Sequence, residues 1–396
     1  MRQPSGRGLA AAIDLRTPAG LRTSGGLKWT AYPGALGAWV AEMDFGLAPP
    51  VKAALEDAVR RELTGYVPRQ LRDELCVATS EFVSQRYGWT IDPAQVFGIP
   101  DVVTALNDVL TFWSEPGGAV IVPTPAYMPF PHLPLNYGRR VIELPMRRTA
   151  DGWTLDLNDL DAAFNDGGRL LILCNPHNPI GKVYGHRELL GICEVVEDHD
   201  GQVFADEIHA PLVFDAPARR HIPYASLNAV AAAHTVTAFS ASKAFNVAGL
   251  KCAQMVLTNP VQLAWRQAHD LDQEPGVLGV AANIAAYRQG WDWLAEVLAY
   301  LDINRHLLVQ LVAQVLPGVK MRQPEGTYLA WLDVSALDLG DSPAAFFRDW
   351  AGVALTEGSE CGQAGRGCVR LNFATPTRVL RQMIDQMAGA LTAAGV

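Results

Sequence analysis

Several short stretches of the 396-residue chain bring together side chains that can do chemistry, most of them just after an apolar run. SASKAFNVAGLK, residues 240–251, sets Lys243 among small neighbours. A loop lysine is most often a solvated charge. Small neighbours also supply what a Schiff-base lysine needs, close access and an amine that desolvation makes nucleophilic. Ser240, Ser242 and Lys251 add hydroxyls, flanking amides and a second cation suited to a phosphate. In DEIH, residues 206–209, Asp206 either caps a following helix or is the anion that keeps a pyridinium nitrogen protonated. His209, three residues on, is more often a satisfied structural histidine, yet it can face the same pocket. CNPHNPIGKVY, residues 174–184, reads first as a turn. Its Asn178 also offers an amide that can donate to a phenolate oxygen. In TPAYMPF, Tyr127 is either a plain core aromatic or a ring that lies flat on a heteroaromatic ligand. In VRLNFATP, Arg370 stands in a strand between Val369 and Leu371, which is costly unless a carboxylate pairs it.

These side chains need elements that carry them to one place. The apolar runs GAVIVPTP (118–125), RLLILCNP (169–176), GQVFADE (201–207) and HTVTAFSAS (234–242) alternate with helical segments such as HRELLGICEVVEDHD. That alternation predicts an α/β domain with a mainly parallel sheet. In open sheets of this kind ligands bind beyond the carboxyl ends of the strands. TPAY, CNPHNPIGK, DEIH and SASK are four such ends, and together they form a stronger signal than any one motif. Residues 1–48 are rich in Gly and Thr, show little periodicity and end in WVAEMDFGLAPP. VKAALEDAVRREL then reads as a helix after Pro49-Pro50, and residues 281–315 as long helices. Beyond Pro317 the pattern is strand (YLAWLDV), helix (FFRDWAGV), strand (GCVRLNFA) and a last amphipathic helix near 376–394, a smaller α+β lobe.

Composition bounds the partners. Acidic residues outnumber basic ones 41 to 32, giving −9, and no basic tract is interleaved with aromatics. Nucleic acid and anionic membranes are therefore not expected partners. With 49% hydrophobic residues the chain can bury a large core without disulfides or a structural metal. Cys76, Cys174, Cys193, Cys252, Cys361 and Cys368 form no CxxC pair, so buried reduced thiols are expected. The first apolar run, before Asp14, is too short for a signal peptide, and none reaches the ~18 residues of a membrane span. A soluble cytoplasmic protein is the expectation.

NPHNPIGKV, ADEIH, SASKAFNVAGLK and VRLNFATP together resemble the fold-type I pyridoxal-phosphate (PLP) enzymes of the class I/II aminotransferase superfamily. WVAEMDF followed by APP, DEIH with histidine in place of the usual tyrosine, HIPYASL and EGTYLAWLDV resemble its cystathionine β-lyase/C–S lyase branch. The resemblance implies a large domain over residues 49–285, with a mainly parallel seven-stranded sheet between helices. It implies a small domain built from residues 1–48 and 286–396. It also implies that Lys243 carries PLP, Asp206 pairs with the ring nitrogen, Asn178 and His209 with the ring oxygen, and that Tyr127 stacks on the ring. The phosphate would sit on the amides of Val102 and Val103, helped by Ser240, Ser242, Lys251 and, from the partner of a homodimer, Tyr66. Arg370, with Asn178, would bind the substrate carboxylate. Asp101 departs from the usual glycine of the phosphate loop and is expected to point away.

The implied activity is β-elimination of L-cystathionine or related cysteine S-conjugates to thiol, pyruvate and ammonia, with transamination as the alternative. Ser240-x-x-Lys243 also fits the S-x-x-K of penicillin-binding hydrolases, but their S-D-N and K-T-G partners are missing. GRGLAA imitates a dinucleotide fingerprint without the preceding strand. A PLP-binding regulator would need a DNA-binding domain, for which the N-terminal arm is too short and insufficiently basic.

Overall fold

The apolar runs form the strands of one large sheet. The computed structural model describes residues 8–149, 152–214 and 217–395. In chain order the strands are β1 (Val96–Ile99), β2 (Ala119–Thr124), β3 (Val141–Pro145), β4 (Gly168–Cys174), β5 (Gln202–Asp206), β6 (Thr235–Phe239) and β7 (Ala253–Leu257). Their spatial order is β1-β7-β6-β5-β4-β2-β3. All pairings are parallel except those of β7 with β6 and β1. Strands β2, β6 and β7 are buried along their whole length, as expected of a sheet covered on both faces. The seven-stranded, mainly parallel sheet predicted from the sequence is therefore present.

The sheet order explains how distant motifs meet. Strands β2, β4, β5 and β6 are consecutive neighbours, and they end in the TPAY, CNPHNPIGK, DEIH and SASK stretches. Four polar strand ends thus line one edge, where such sheets bind ligands.

A second sheet follows in the C-terminal part: β8 (Lys320–Met321), β9 (Leu329–Asp333), β10 (Thr356–Glu357) and β11 (Cys368–Asn372), in the order β8-β9-β11-β10 and antiparallel throughout. Helices Trp291–Val315, Pro343–Ala351 and Thr377–Ala394 contribute to the same apolar core as this sheet. The N-terminal arm joins it as well. Leu36–Gly37 pairs in parallel with Val353–Ala354, and Ile13, Leu21 and Trp29 are buried in that core.

Two features differ from the sequence reading. The arm holds three short helices, Leu9–Asp14, Pro18–Thr23 and Leu27–Thr30. None exceeds two turns, so none can display a helical period, although Thr17 caps the second through the Gly20 amide at 3.1 Å. A 19-residue helix, Arg69–Tyr87, was not expected; it follows Pro68, which stands at its N-cap without a capping side chain. All six cysteines are free, and all but Cys76 are fully buried.

Candidate active site

At the strand ends lies a cavity of about 310 Å³ lined by Trp39, Tyr127, Asn178, Asp206, His209, Ser240, Ser242, Lys243, Lys251 and Arg370, among others. Val102 and Val103, the first residues of helix Val102–Asp108, line it too. Every site residue expected from the sequence reaches this cavity except Tyr66. That side chain is 94% exposed and belongs to a separate surface recess with Gly249 and Gly276. A larger cleft of about 560 Å³, lined by Arg72, Phe97, Arg266 and Gln273 among others, contains none of these residues.

Asp206 ends β5 and is buried. Its Oδ1 accepts from the Ile208 amide at 3.2 Å, and its Oδ2 accepts from the Cys174 thiol at 3.7 Å. Burial pushes this carboxyl up to about 6, against the pull of those hydrogen bonds. A cationic N–H beside it would restore the anion. The next residue, Glu207, points elsewhere and accounts for the HIPY stretch: it accepts from His221 Nε2 and from the Tyr224 amide, both at 2.8 Å. That buried pair fastens the end of β5 to the loop that follows.

Lys243 Nζ donates to the Ala41 carbonyl at 3.2 Å. Burial, and then the Arg370 guanidinium, bring its amine down to about 8. A minor but reactive fraction is therefore neutral and nucleophilic near neutral pH. His209 is buried, its Nδ1 has no partner among the described residues, and burial lowers it to about 3, so the ring is neutral at pH 7.

Arg370 sits in the middle of β11 and is fully buried. Among the described residues its hydrogen-bond acceptors are all neutral: Asn178 Oδ1 at 3.0 Å, the Trp39 carbonyl at 2.8 Å, Thr356 Oγ1 at 3.0 Å and the Met128 thioether at 3.6 Å. Its Nε has no partner among the described residues. A buried cation held only by neutral acceptors is a ready site for an anionic ligand group. Because Asn178 gives its oxygen to Arg370, its amide nitrogen is left to donate elsewhere.

The helix start differs from expectation. Asp101 does not turn away but lines the cavity. Its Oδ1 caps the helix through the Thr104 amide at 2.9 Å, and its Oδ2 accepts from Lys251 Nζ at 2.9 Å. Ser240 is also engaged, donating to the Cys252 carbonyl at 2.7 Å and accepting from the Ser242 amide at 3.0 Å.

Three contributors were not singled out from the sequence. Residues 39–43 form a strap whose five carbonyls are all used. Trp39 O accepts from Arg370, Val40 O and Glu42 O from Asn372, Ala41 O from Lys243 and Tyr328, and Met43 O from Asn246. Tyr328 and Thr356 hold this strap from the second sheet. WVAEMDF and EGTYLAWLDV carried a resemblance, but backbone acceptors leave no trace in residue type. Of the arm's aromatics, Trp29 is core, whereas Trp39 lines the cavity.

A flat, phosphorylated heteroaromatic aldehyde suits this donor set. A partly neutral amine and a buried carboxylate face one cavity, an orphaned neutral imidazole nitrogen belongs to its wall, and a helix start with Lys251 closes one end.

Known proteins agree with this reading. Residues 40–387 match the family described as aminotransferase class I and II. A cystathionine beta-lyase of Corynebacterium glutamicum is 37% identical over 370 residues, covering 92% of this chain and 96% of its own. A structure from Corynebacterium diphtheriae, assigned as a PLP-dependent beta-cystathionase, superposes with a TM-score of 0.89 at 39% identity over 96% of this chain and 99% of that one. The PLP-bound C-S lyase of Staphylococcus hominis gives 0.88 at 28% identity, covering 94% and 97%.

Proposed function

The chain belongs to the aminotransferase class I and II family, and on that premise we propose that it catalyses PLP-dependent β-elimination. Its substrates are L-cystathionine or related cysteine S-conjugates, and its products are thiol, pyruvate and ammonia. The observation that carries an amino-acid substrate is the buried Arg370, without a carboxylate partner among the described residues, in the cavity that Lys243 lines. The choice of elimination over transamination is supported by relatives named cystathionine beta-lyase and C-S lyase.

Lys243 would hold the aldehyde carbon of PLP, Asp206 its ring nitrogen, Asn178 and His209 its ring oxygen, and Tyr127 its ring face. The amides of Val102 and Val103, with Ser242 and Lys251, would hold the phosphate. The Ser240 proton is already given to Cys252, so this serine acts there through the turn it shapes. Tyr66 of the partner subunit would complete the phosphate site in a homodimer. When bound, PLP supplies an electron sink for negative charge at the substrate Cα.

The protein's own groups do the rest. Arg370 grips the α-carboxylate and fixes Cα in the cavity. The Lys243 amine, lowered by burial, takes the Cα proton as general base. Ala41 O, held also by Tyr328, keeps that amine inside the cavity when it is free. The electron pair left at Cα then forms the Cα=Cβ bond as the Cβ–S bond breaks, the Cβ–S pair leaves on sulfur as thiolate, and water hydrolyses the remaining enamine to pyruvate and ammonia.

Residues 49–285 would form the PLP-binding domain, with residues 1–48 and 286–396 as the small one, in a cytoplasmic enzyme. Among the described residues no helix is long and apolar enough to cross a membrane.

Two measurements test the reading. Reconstituted protein should be yellow, and borohydride should trap the cofactor on the peptide that contains Lys243 but not in Lys243→Ala. A panel of cystathionine, cysteine, S-alkyl and S-aryl cysteines, and alanine with a keto acid, then separates the reactions. Pyruvate and thiol without any keto acid support elimination. Turnover only with a keto acid overturns it.

A further inference from the structure

Thr356 and Arg370 face each other across the antiparallel pair β10–β11, which puts their side chains on one face of the sheet. The Thr356 hydroxyl donates to the Trp39 carbonyl at 2.6 Å. A hydroxyl has one proton, so its 3.0 Å contact with Arg370 Nη2 must be one in which it accepts. The same Nη2 donates to the Trp39 carbonyl at 2.8 Å. Nη2 is thereby held against one corner, made from a strand hydroxyl and a strap carbonyl that are themselves hydrogen-bonded. On the other edge, Nη1 donates to Asn178 Oδ1 at 3.0 Å and meets only the Met128 thioether at 3.6 Å. A thioether is a weak acceptor, so of the two terminal nitrogens Nη1 is the one with donor capacity to give, in addition to the unpartnered Nε.

We infer that Thr356 is a positioning residue for the α-carboxylate site: it clamps the Nη2 edge of Arg370 to Trp39 and so presents the Nη1 edge to a carboxylate in the cavity. The inference rests on the proposed amino-acid substrate. Thr356 is itself buried and does not line the cavity, so it acts through Arg370 and the Trp39 carbonyl that it also holds. Without its hydroxyl, one buried Nη2 hydrogen loses its acceptor, and the fork can rotate about the remaining Trp39 contact. Because Trp39 also lines the cavity, the clamp joins the orientation of the arginine to the position of the cavity wall.

The test uses holoenzyme and two variants, Thr356→Val, which keeps the shape and β-branch, and Thr356→Ser, which keeps the hydroxyl. Binding of L-alanine and of L-alaninamide, which lacks the carboxylate, is read from the change in the visible cofactor band. Thr356→Val should weaken L-alanine about tenfold, the loss expected for one unsatisfied buried donor. It should leave L-alaninamide within about twofold, and Thr356→Ser should restore L-alanine binding. With a cysteine S-conjugate, Thr356→Val should raise KM about tenfold while kcat stays within about threefold. Equal weakening of both ligands, a loss in kcat alone, or wild-type behaviour of Thr356→Val overturns the role of Thr356. Protein that takes up no PLP overturns the proposed function, and this inference with it.

Discussion

Asp101 Oδ2 and Lys251 Nζ stand 2.9 Å apart at the start of helix Val102–Asp108, so the cation best placed for a phosphate is already paired with a carboxylate. Burial would raise the Asp101 carboxyl, but the Lys251 ammonium and Thr104 outweigh it and hold it below its ordinary range. It is therefore anionic at neutral pH. The pair is largely exposed, at 62% and 38%, and an exposed pair of this kind is worth little by itself. Its consequence lies in what it withholds from a dianion.

Replacing Asp101 with asparagine keeps an N-cap and removes the charge. Apoprotein carrying Asp101→Asn should bind PLP several-fold tighter, roughly fivefold, since an exposed charge pair is worth up to about 1 kcal/mol. The gain should shrink with added salt. Absorbance titration of apoprotein with PLP checks it, and weaker binding by the variant would contradict it.

The Lys243 amine reacts only when deprotonated. Burial and Arg370 lower it to about 8, so capture of PLP by apoprotein should accelerate as pH rises through about 8. Arg370→Met removes the second cause, and the midpoint should move up towards the ordinary lysine value. The native protein binds fewer protons here than the unfolded chain does. The destabilising contribution of this group is thus full below about 8 and fades towards 10.5. A midpoint that stays put in Arg370→Met would show that burial alone sets it.

Asp206→Asn tests the anion at the end of β5. The variant should still take up PLP, because Lys243 and the phosphate contacts remain. Its kcat should fall about a hundredfold, for roughly 3 kcal/mol lost with a charge-assisted hydrogen bond. The pH dependence of its visible band should also change. A variant with wild-type kcat would remove Asp206 from the mechanism.

Lys28 and Asp44, 2% and 4% exposed and 2.9 Å apart, anchor the strap from behind, with Trp29 Nε1 donating to the same carboxylate at 2.7 Å. Asp44→Ala strands a buried ammonium and should destabilise the protein by about 3–5 kcal/mol. Pairing Asp44→Leu with Lys28→Met should recover much of that loss. Thermal unfolding of the single and double variants checks both statements.

Residue type carried much of the site. Lys243, Asp206 and Asn178 each have an ordinary reading when taken alone, and it is their shared place at strand ends that marks them, because the sheet order brings those ends to adjacent strands. What the sequence hid was contributed by backbone or across long separations. The carbonyls of Trp39 and Ala41 carry no side-chain signature, and Thr356 meets Arg370 only once β10 and β11 pair. Asp101 was misread because a carboxylate near a phosphate site was expected to avoid it, whereas helix capping and Lys251 both draw it in.

The central claim is tested most directly by the products of L-cystathionine with purified, PLP-loaded protein in the absence of any 2-oxo acid. The account predicts homocysteine, pyruvate and ammonia in equal amounts, with none formed by Lys243→Ala. No thiol from the wild-type protein, with turnover appearing only when 2-oxoglutarate is added, would contradict it.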